Sequence, residues 1–198
     1  MRTLTDLTNR NVKNRYKTLH RIFKGLLVLF VLLVSDQLTK GQGMSVPPYQ
    51  VKAAFIYNFT RFVEWPEQSF KSDDEPFIIG VLGDAQLGHY LEEIIKGERL
   101  GSHPIIIHNY RHINEASNCN ILFINAHDVS HLKSELAGLQ ESNILTVSDA
   151  DNFLKYGGIV RFYTQDNKIR LQINVKSAQT AQLRISSKLL NIAKIFNR

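Results

Sequence analysis

Four short unbroken apolar runs, separated by stretches whose apolar residues recur three or four apart, constrain this fold more than any other feature. The runs are Phe77-Ile-Ile-Gly-Val-Leu82, Ile105-Ile-Ile107, Asn120-Ile-Leu-Phe-Ile124 and Asn143-Ile-Leu-Thr-Val147. They are too short for helices and do not alternate with polar residues. That is the pattern of strands covered on both faces. Gln50–Glu64 carries apolar residues at Val51, Ala54, Phe55, Phe59, Phe62 and Val63, with Lys52, Asn58 and Arg61 between them, so a helix is expected. Pro47-Pro48 favours its start, and Trp65-Pro66 its end, because the residue before proline avoids the α region. Leu87, Leu91, Ile94 and Ile95 form a second helical face, and Val129–Leu139 reads as a short helix.

After Gly157-Gly158 the pattern changes. Ile159–Tyr163 and Lys168–Val175 flank Gln165-Asp166-Asn167, which predicts an antiparallel hairpin. Ala178, Ala181, Ile185, Leu189, Ile192 and Phe196 are spaced as one continuous helical face, which predicts a long final helix. The expected fold class is therefore α/β: a mostly parallel sheet flanked by helices, a C-terminal antiparallel hairpin and a long final helix.

Charge divides the chain. Residues 1–43 hold eight Lys or Arg against two Asp or Glu, whereas residues 44–198 hold sixteen of each. The net charge of +6 thus lies wholly in the N-terminal segment, and the remainder has no footprint for nucleic acid. Arg10, Lys13, Arg15, Lys17, Arg21 and Lys24 precede the apolar run Gly25–Val34. A basic region followed by such a run is the export pattern, and the run is about half of the roughly 20 apolar residues a membrane span needs. Residues 1–43 are expected to be a signal peptide cleaved after Gly43, leaving no integral membrane anchor on a single domain over 44–198. Cys119 is the only cysteine, so no intrachain disulfide can form. Directly before a strand-like run, it is expected to be a buried, unreactive thiol.

Several segments together resemble the YfiR-like periplasmic regulator family. Val51-Lys-Ala-Ala-Phe-Ile-Tyr-Asn-Phe-Thr-Arg-Phe-Val-Glu-Trp-Pro66 is similar to its first-helix signature, and Gly80-Val-Leu-Gly-Asp84 to its first strand and turn. Cys119–Ile124, Ile144-Leu-Thr-Val-Ser-Asp149 with Gly157-Gly158, and Ile173-Asn-Val through Leu183-Arg-Ile-Ser-Ser-Lys-Leu-Leu190 resemble later blocks. The resemblance implies a Rossmann-like periplasmic domain that restrains a membrane-bound diguanylate cyclase by binding its periplasmic part. Some relatives carry internal disulfides; with Cys119 alone, this chain cannot share that device.

Other readings of the residues are weaker. Gly80-x-x-Gly83-x4-Gly88 is not a dinucleotide fingerprint, and Asp84 stands where a phosphate would lie. The pairs His108/His112 and His127/His131 have helical metal spacing but straddle loops. Ser148 reads as a cap with Asp151 three residues on, not as a nucleophile. Glu92 and Glu93 are adjacent and point to different sides of a helix. No catalytic, metal or cofactor constellation stands out, so a non-enzymatic binding protein is expected.

The candidate partner contacts are Tyr57, Arg61 and Trp65 on the first helix, with Arg184 and Lys188 on the last element. Tyr57 and Arg61 lie four apart and share a face, whereas Phe55, Phe59 and Phe62 fit a core-facing stripe. The expected partner is an inner-membrane signalling protein, a diguanylate cyclase or a sensor kinase, with a homodimer as a further possibility. A domain that senses a small molecule in its cleft is the competing reading.

Overall fold

The computed structural model describes residues 46–125 and 132–197. The expected signal peptide, the His127/His131 pair and the start of the Val129–Leu139 helix lie outside those residues. Helix α1 spans Pro48–Phe62 and ends where Val63 turns extended. Strand β1 (Val63–Glu64) follows, then β2 (Phe77–Leu82), α2 (Ala85–Ile94), β3 (Arg99–Leu100) and β4 (His103–Tyr110). Next come β5 (Ile121–Ile124), α3 (Leu132–Ala137), β6 (Leu145–Ser148), β7 (Val160–Gln165) and β8 (Lys168–Ile173). The chain closes with α4 (Val175–Thr180), β9 (Arg184–Ile185), α5 (Ser187–Ile192) and β10 (Lys194–Ile195).

The main sheet has the strand order β10-β8-β7-β6-β5-β2-β4-β3. Its centre, β7-β6-β5-β2-β4, is parallel throughout, as the unbroken apolar runs require. Alternate residues of each strand feed two cores. Phe77, Ile79, Val81, Ile121, Phe123 and Val147 face α1, α2 and the C-terminal segment. Ile78, Leu122 and Ile124 face α3, Cys119 and Phe153. The hairpin forms as expected: β7 and β8 pair antiparallel, with Asp166 and Asn167 at φ 52° and 55° making the tight turn.

The long final helix does not form. Thr180 ends α4, Gln182 takes φ 58°, and Leu183 N–H returns to the Ala178 carbonyl at 2.9 Å, closing the helix. Ile185, expected mid-helix, is instead half-buried in β9, paired with Val63 of β1. Ser186 caps α5, and β10 then joins the main sheet beside β8. Ala178, Ala181 and Leu189 are buried as expected, but Ile192 is 64% exposed. Backbone pairing with β1 and β8 is an option that helical spacing does not reveal, and here it overrides the spacing.

The buried face of α1 is also rotated from expectation. Ala53, Ile56, Phe59 and Thr60 are its buried residues, while Phe55 and Phe62 lie at the margin of the core and Ala54 is exposed. Phe59 stacks near Phe162 of β7, with ring centroids 6.3 Å apart.

Candidate functional site: a surface where the first helix meets the C-terminal segment

Because Ala53, Ile56 and Phe59 turn to the sheet, Tyr57 and Arg61 fall on the outer flank of α1. The Tyr57 hydroxyl donates to Glu98 Oε2 at 2.5 Å, and an Arg61 N–H donates to the Tyr57 hydroxyl at 2.9 Å. The Arg61 guanidinium carbon lies 5.2 Å from the centroid of the Tyr57 ring. The hydrogen bond to Glu98 raises the Tyr57 pKa above the ordinary phenol value, so the hydroxyl stays a donor. The three side chains form an ordered, accessible clasp between α1 and the turn before β3. Glu98 carries no sequence signal for this role, because the contact spans 41 residues.

Trp65 behaves differently. Its ring is half-buried, edge-on to Phe77 at 4.8 Å between centroids, and its Nε1–H donates to the Asn120 carbonyl at 3.2 Å. Asn120 is itself buried, and its Oδ1 accepts from the Ile78 N–H at 2.8 Å. Trp65 therefore ties the end of α1 to the starts of β2 and β5.

Arg184 and Lys188 lie far along the chain from α1, but the structure brings them to its end. In the two-stranded ribbon, Glu64 of β1 pairs with Arg184 of β9, and Val63 with Ile185. Val63 is buried, which leaves Glu64 and Arg184 on the outer face of the ribbon. Arg184 Nε donates to Glu64 Oε2 at 2.9 Å, and a second guanidinium N–H donates to the same oxygen. The Ser186 N–H reaches the Phe62 carbonyl at 2.9 Å, so the last turn of α1 touches the residue before α5. Lys188 is exposed on α5. Two sets of candidate residues that lie more than 100 positions apart along the chain thus belong to elements stitched together by β1 and β9.

The other candidates resolve into structural parts. Gly83, at φ +80°, makes the turn after β2, and Asp84 caps α2 by accepting the Leu87 N–H at 3.0 Å. His108 and His112 are exposed, and His112 caps a short 3-10 turn over Ile113–Glu115. Ser148 is buried; its hydroxyl donates to the Ile124 carbonyl at 2.7 Å and accepts the Ala150 N–H at 3.1 Å. Cys119 is buried, donates to the Ala116 carbonyl at 3.2 Å, and has its thiol pKa pushed up to about 12 by burial. Among the described residues, no group of three or more His, Cys, Asp or Glu could hold a metal ion. Nor is any helix among them long and apolar enough to cross a membrane.

The profile of the YfiR/HmsC-like family matches residues 49–194. The chain belongs to this family. The match runs from the second residue of α1 to the first of β10, and so takes in both sides of the ribbon. YfiR-like proteins are periplasmic regulators of diguanylate cyclases and act on partner signalling proteins. No curated protein sequence matches the chain. Among solved structures it is similar to a conserved domain protein from Vibrio cholerae, with 10% identity and a TM-score of 0.52 over 77% of this chain. It also aligns with the ABC domain in complex with L-Trp from Streptococcus pneumonia, with 12% identity and a TM-score of 0.48 over 75% of this chain. It spans 61% and 60% of the lengths of those two chains. The Vibrio likeness shows the α/β fold alone.

Proposed function

We propose that the protein is an exported regulatory binding protein that restrains an inner-membrane signalling protein, a diguanylate cyclase, by covering a periplasmic surface on it. Membership of the YfiR/HmsC-like family over residues 49–194 carries this reading. In this reading residues 1–43 are removed on export and the domain from residue 44 acts in the periplasm. Its action is stoichiometric: a surface is covered or released, and no substrate is turned over.

The surface around the β1–β9 ribbon suits such a contact. Specific interfaces rely on a few aromatic or arginine anchors in about 1,200–2,000 Å² of buried area. Tyr57, held by Glu98, and Arg61, held by the Tyr57 hydroxyl, supply anchors already in place, which lowers the ordering cost on binding. Arg184 and Lys188 extend the surface across the ribbon. Trp65 contributes by fixing the end of α1.

The test is capture of membrane proteins by the protein and by its folded Tyr57→Ala and Arg61→Ala variants. Each variant should weaken capture of a diguanylate cyclase by about 1–3 kcal/mol and melt within a few degrees of wild type. Undiminished capture by both would move the contact off α1. Failure of wild type to capture any signalling protein would overturn the reading.

A further inference from the structure

A cavity of about 620 Å³ lies on the α3 side of the sheet, away from the surface just described. Its walls are α3, the turn at 154–157, the start of α4 and the chain at 195–197. Leu154, Ile195 and Phe196 give it an apolar lining, and Lys133, Lys155 and Lys176 line it with positive charge. Among the described residues, no carboxylate lines it. In a domain whose acids and bases balance overall, three lysines lining one cavity are a local concentration of positive charge. Lys133 and Lys176 form no ion pair among the described residues. A concave site of this size that combines apolar and cationic lining suits a small molecule.

We infer that this cavity binds a small amphipathic anion, its apolar body on Leu154, Ile195 and Phe196 and its carboxylate or phosphate head on Lys133 and Lys176, and that its occupancy biases the partner-binding surface. The second part rests on the function proposed above; the first does not. The coupling follows from connectivity. Val175–Gln179 on one wall lead through Gln182 into Arg184 of β9. Ile195–Asn197 on another wall follow two residues after α5, which carries Lys188. The segment bearing Arg184 and Lys188 is therefore bracketed on both sides by cavity walls. A ligand that draws α4 and β10 together acts on both ends of that segment.

Free metabolites and membrane lipids both offer this chemistry, so the experiment uses a probe for each. Full-length chain is expressed in cells, purified in the form that accumulates and labelled with ¹⁵N. It is titrated with decanoate, with decanol, and with phosphatidylglycerol vesicles. Decanoate should shift the amides of Lys176–Gln179 and Ile195–Phe196 at one-to-one stoichiometry, and decanol should bind at least tenfold more weakly. Lys133→Gln with Lys176→Gln should weaken decanoate at least tenfold without changing the melting temperature. Vesicle binding that the double variant abolishes would assign the head group to lipid, and decanoate binding alone to a free anion. Equal binding of decanoate to the double variant, or no shift at the cavity with any probe, overturns the site. Shifts at the cavity without any at Arg184–Lys188 overturn the coupling and leave the site standing. These readouts need no partner, so they stand or fall separately from the capture experiment.

Discussion

Helix α1 and the C-terminal segment from Val175 to Ile195 press on the same core but are built in opposite ways. α1 is one rod of 15 residues that packs by one side: Ala53, Ile56 and Phe59 are fully buried. The C-terminal segment divides into two helices of six residues each and two strands of two. Helices that short do not persist alone in water. They are held by strand pairing to two different sheets, β9 to β1 and β10 to β8. A rod transmits force along its axis and offers a flank for docking. A stapled segment offers short elements whose positions depend on what holds each end. The two meet at the ribbon, where the proposed partner surface lies.

The strongest challenge to this contrast is Phe59→Ala, which empties the centre of the rod's contact with Phe162. It should cost about 3–5 kcal/mol, read as a loss in urea stability with an unchanged m-value. Leu189→Ala makes the matching hole under α5 and should fall toward the lower end of the about 2–5 kcal/mol range, because a short helix can settle into the space. Equal losses would mean that the stapled segment is as rigid as the rod. Native-state hydrogen exchange gives an independent reading: amides of α4 and α5 should exchange through smaller openings than those of Ile56–Thr60.

The face of the sheet opposite α1 supplies a pH test. The Cys119 thiol is pushed up to about 12 from an ordinary 9.0 by burial, and burial likewise raises Tyr110 to about 12 from 10.0. In the unfolded chain both groups lose protons at lower pH than in the native state. Stability should therefore be intact below about pH 9 and fall as the pH rises toward about 12. Urea melts at neutral and alkaline pH check the slope, and Cys119→Ala should flatten its earlier part. Thiol labelling at neutral pH should be slow without denaturant; rapid labelling would show that this face opens. The smallest expected effect is at Gln182, which holds φ 58° between α4 and β9. Gln182→Gly should be neutral or stabilise by up to about 1 kcal/mol, since glycine adopts that conformation without strain. A clear loss would mean that its side-chain bond to Gln68, at 2.9 Å, matters more than the backbone.

The parallel strands were legible because burial on both faces leaves an unbroken apolar run, as in Phe77–Leu82. The hairpin was legible because Asp166 and Asn167 are turn residues between two strand-like segments in which apolar and polar residues alternate. The position of Cys119 followed from its place at the head of β5. Tyr57 and Arg61 could be paired on one helical face by spacing alone, but the acid that holds them could not be named. The face α1 buries was misjudged because its aromatic residues occur on more than one side. Phe55 and Phe62 look like the stripe with Phe59, but the packing of α1 against the sheet buries Ala53, Ile56 and Phe59 and leaves Phe55 and Phe62 at the margin.

By itself, then, the sequence determined what local patterns encode: the α/β class, the parallel core, the hairpin and the resemblance to a family of periplasmic regulators. The ribbon was decided by tertiary structure alone. Its strands are two residues long, and the Glu64–Arg184 contact joins positions 120 residues apart, so nothing near either residue announces the other. The same holds for the break in the final segment. Ala178, Ala181, Ile185, Leu189 and Ile192 are spaced for one continuous helix. Pairing of Ile185 with Val63 and of Ile195 with Ile173 gives that backbone hydrogen-bond partners elsewhere, and these become available only after the rest of the chain has folded.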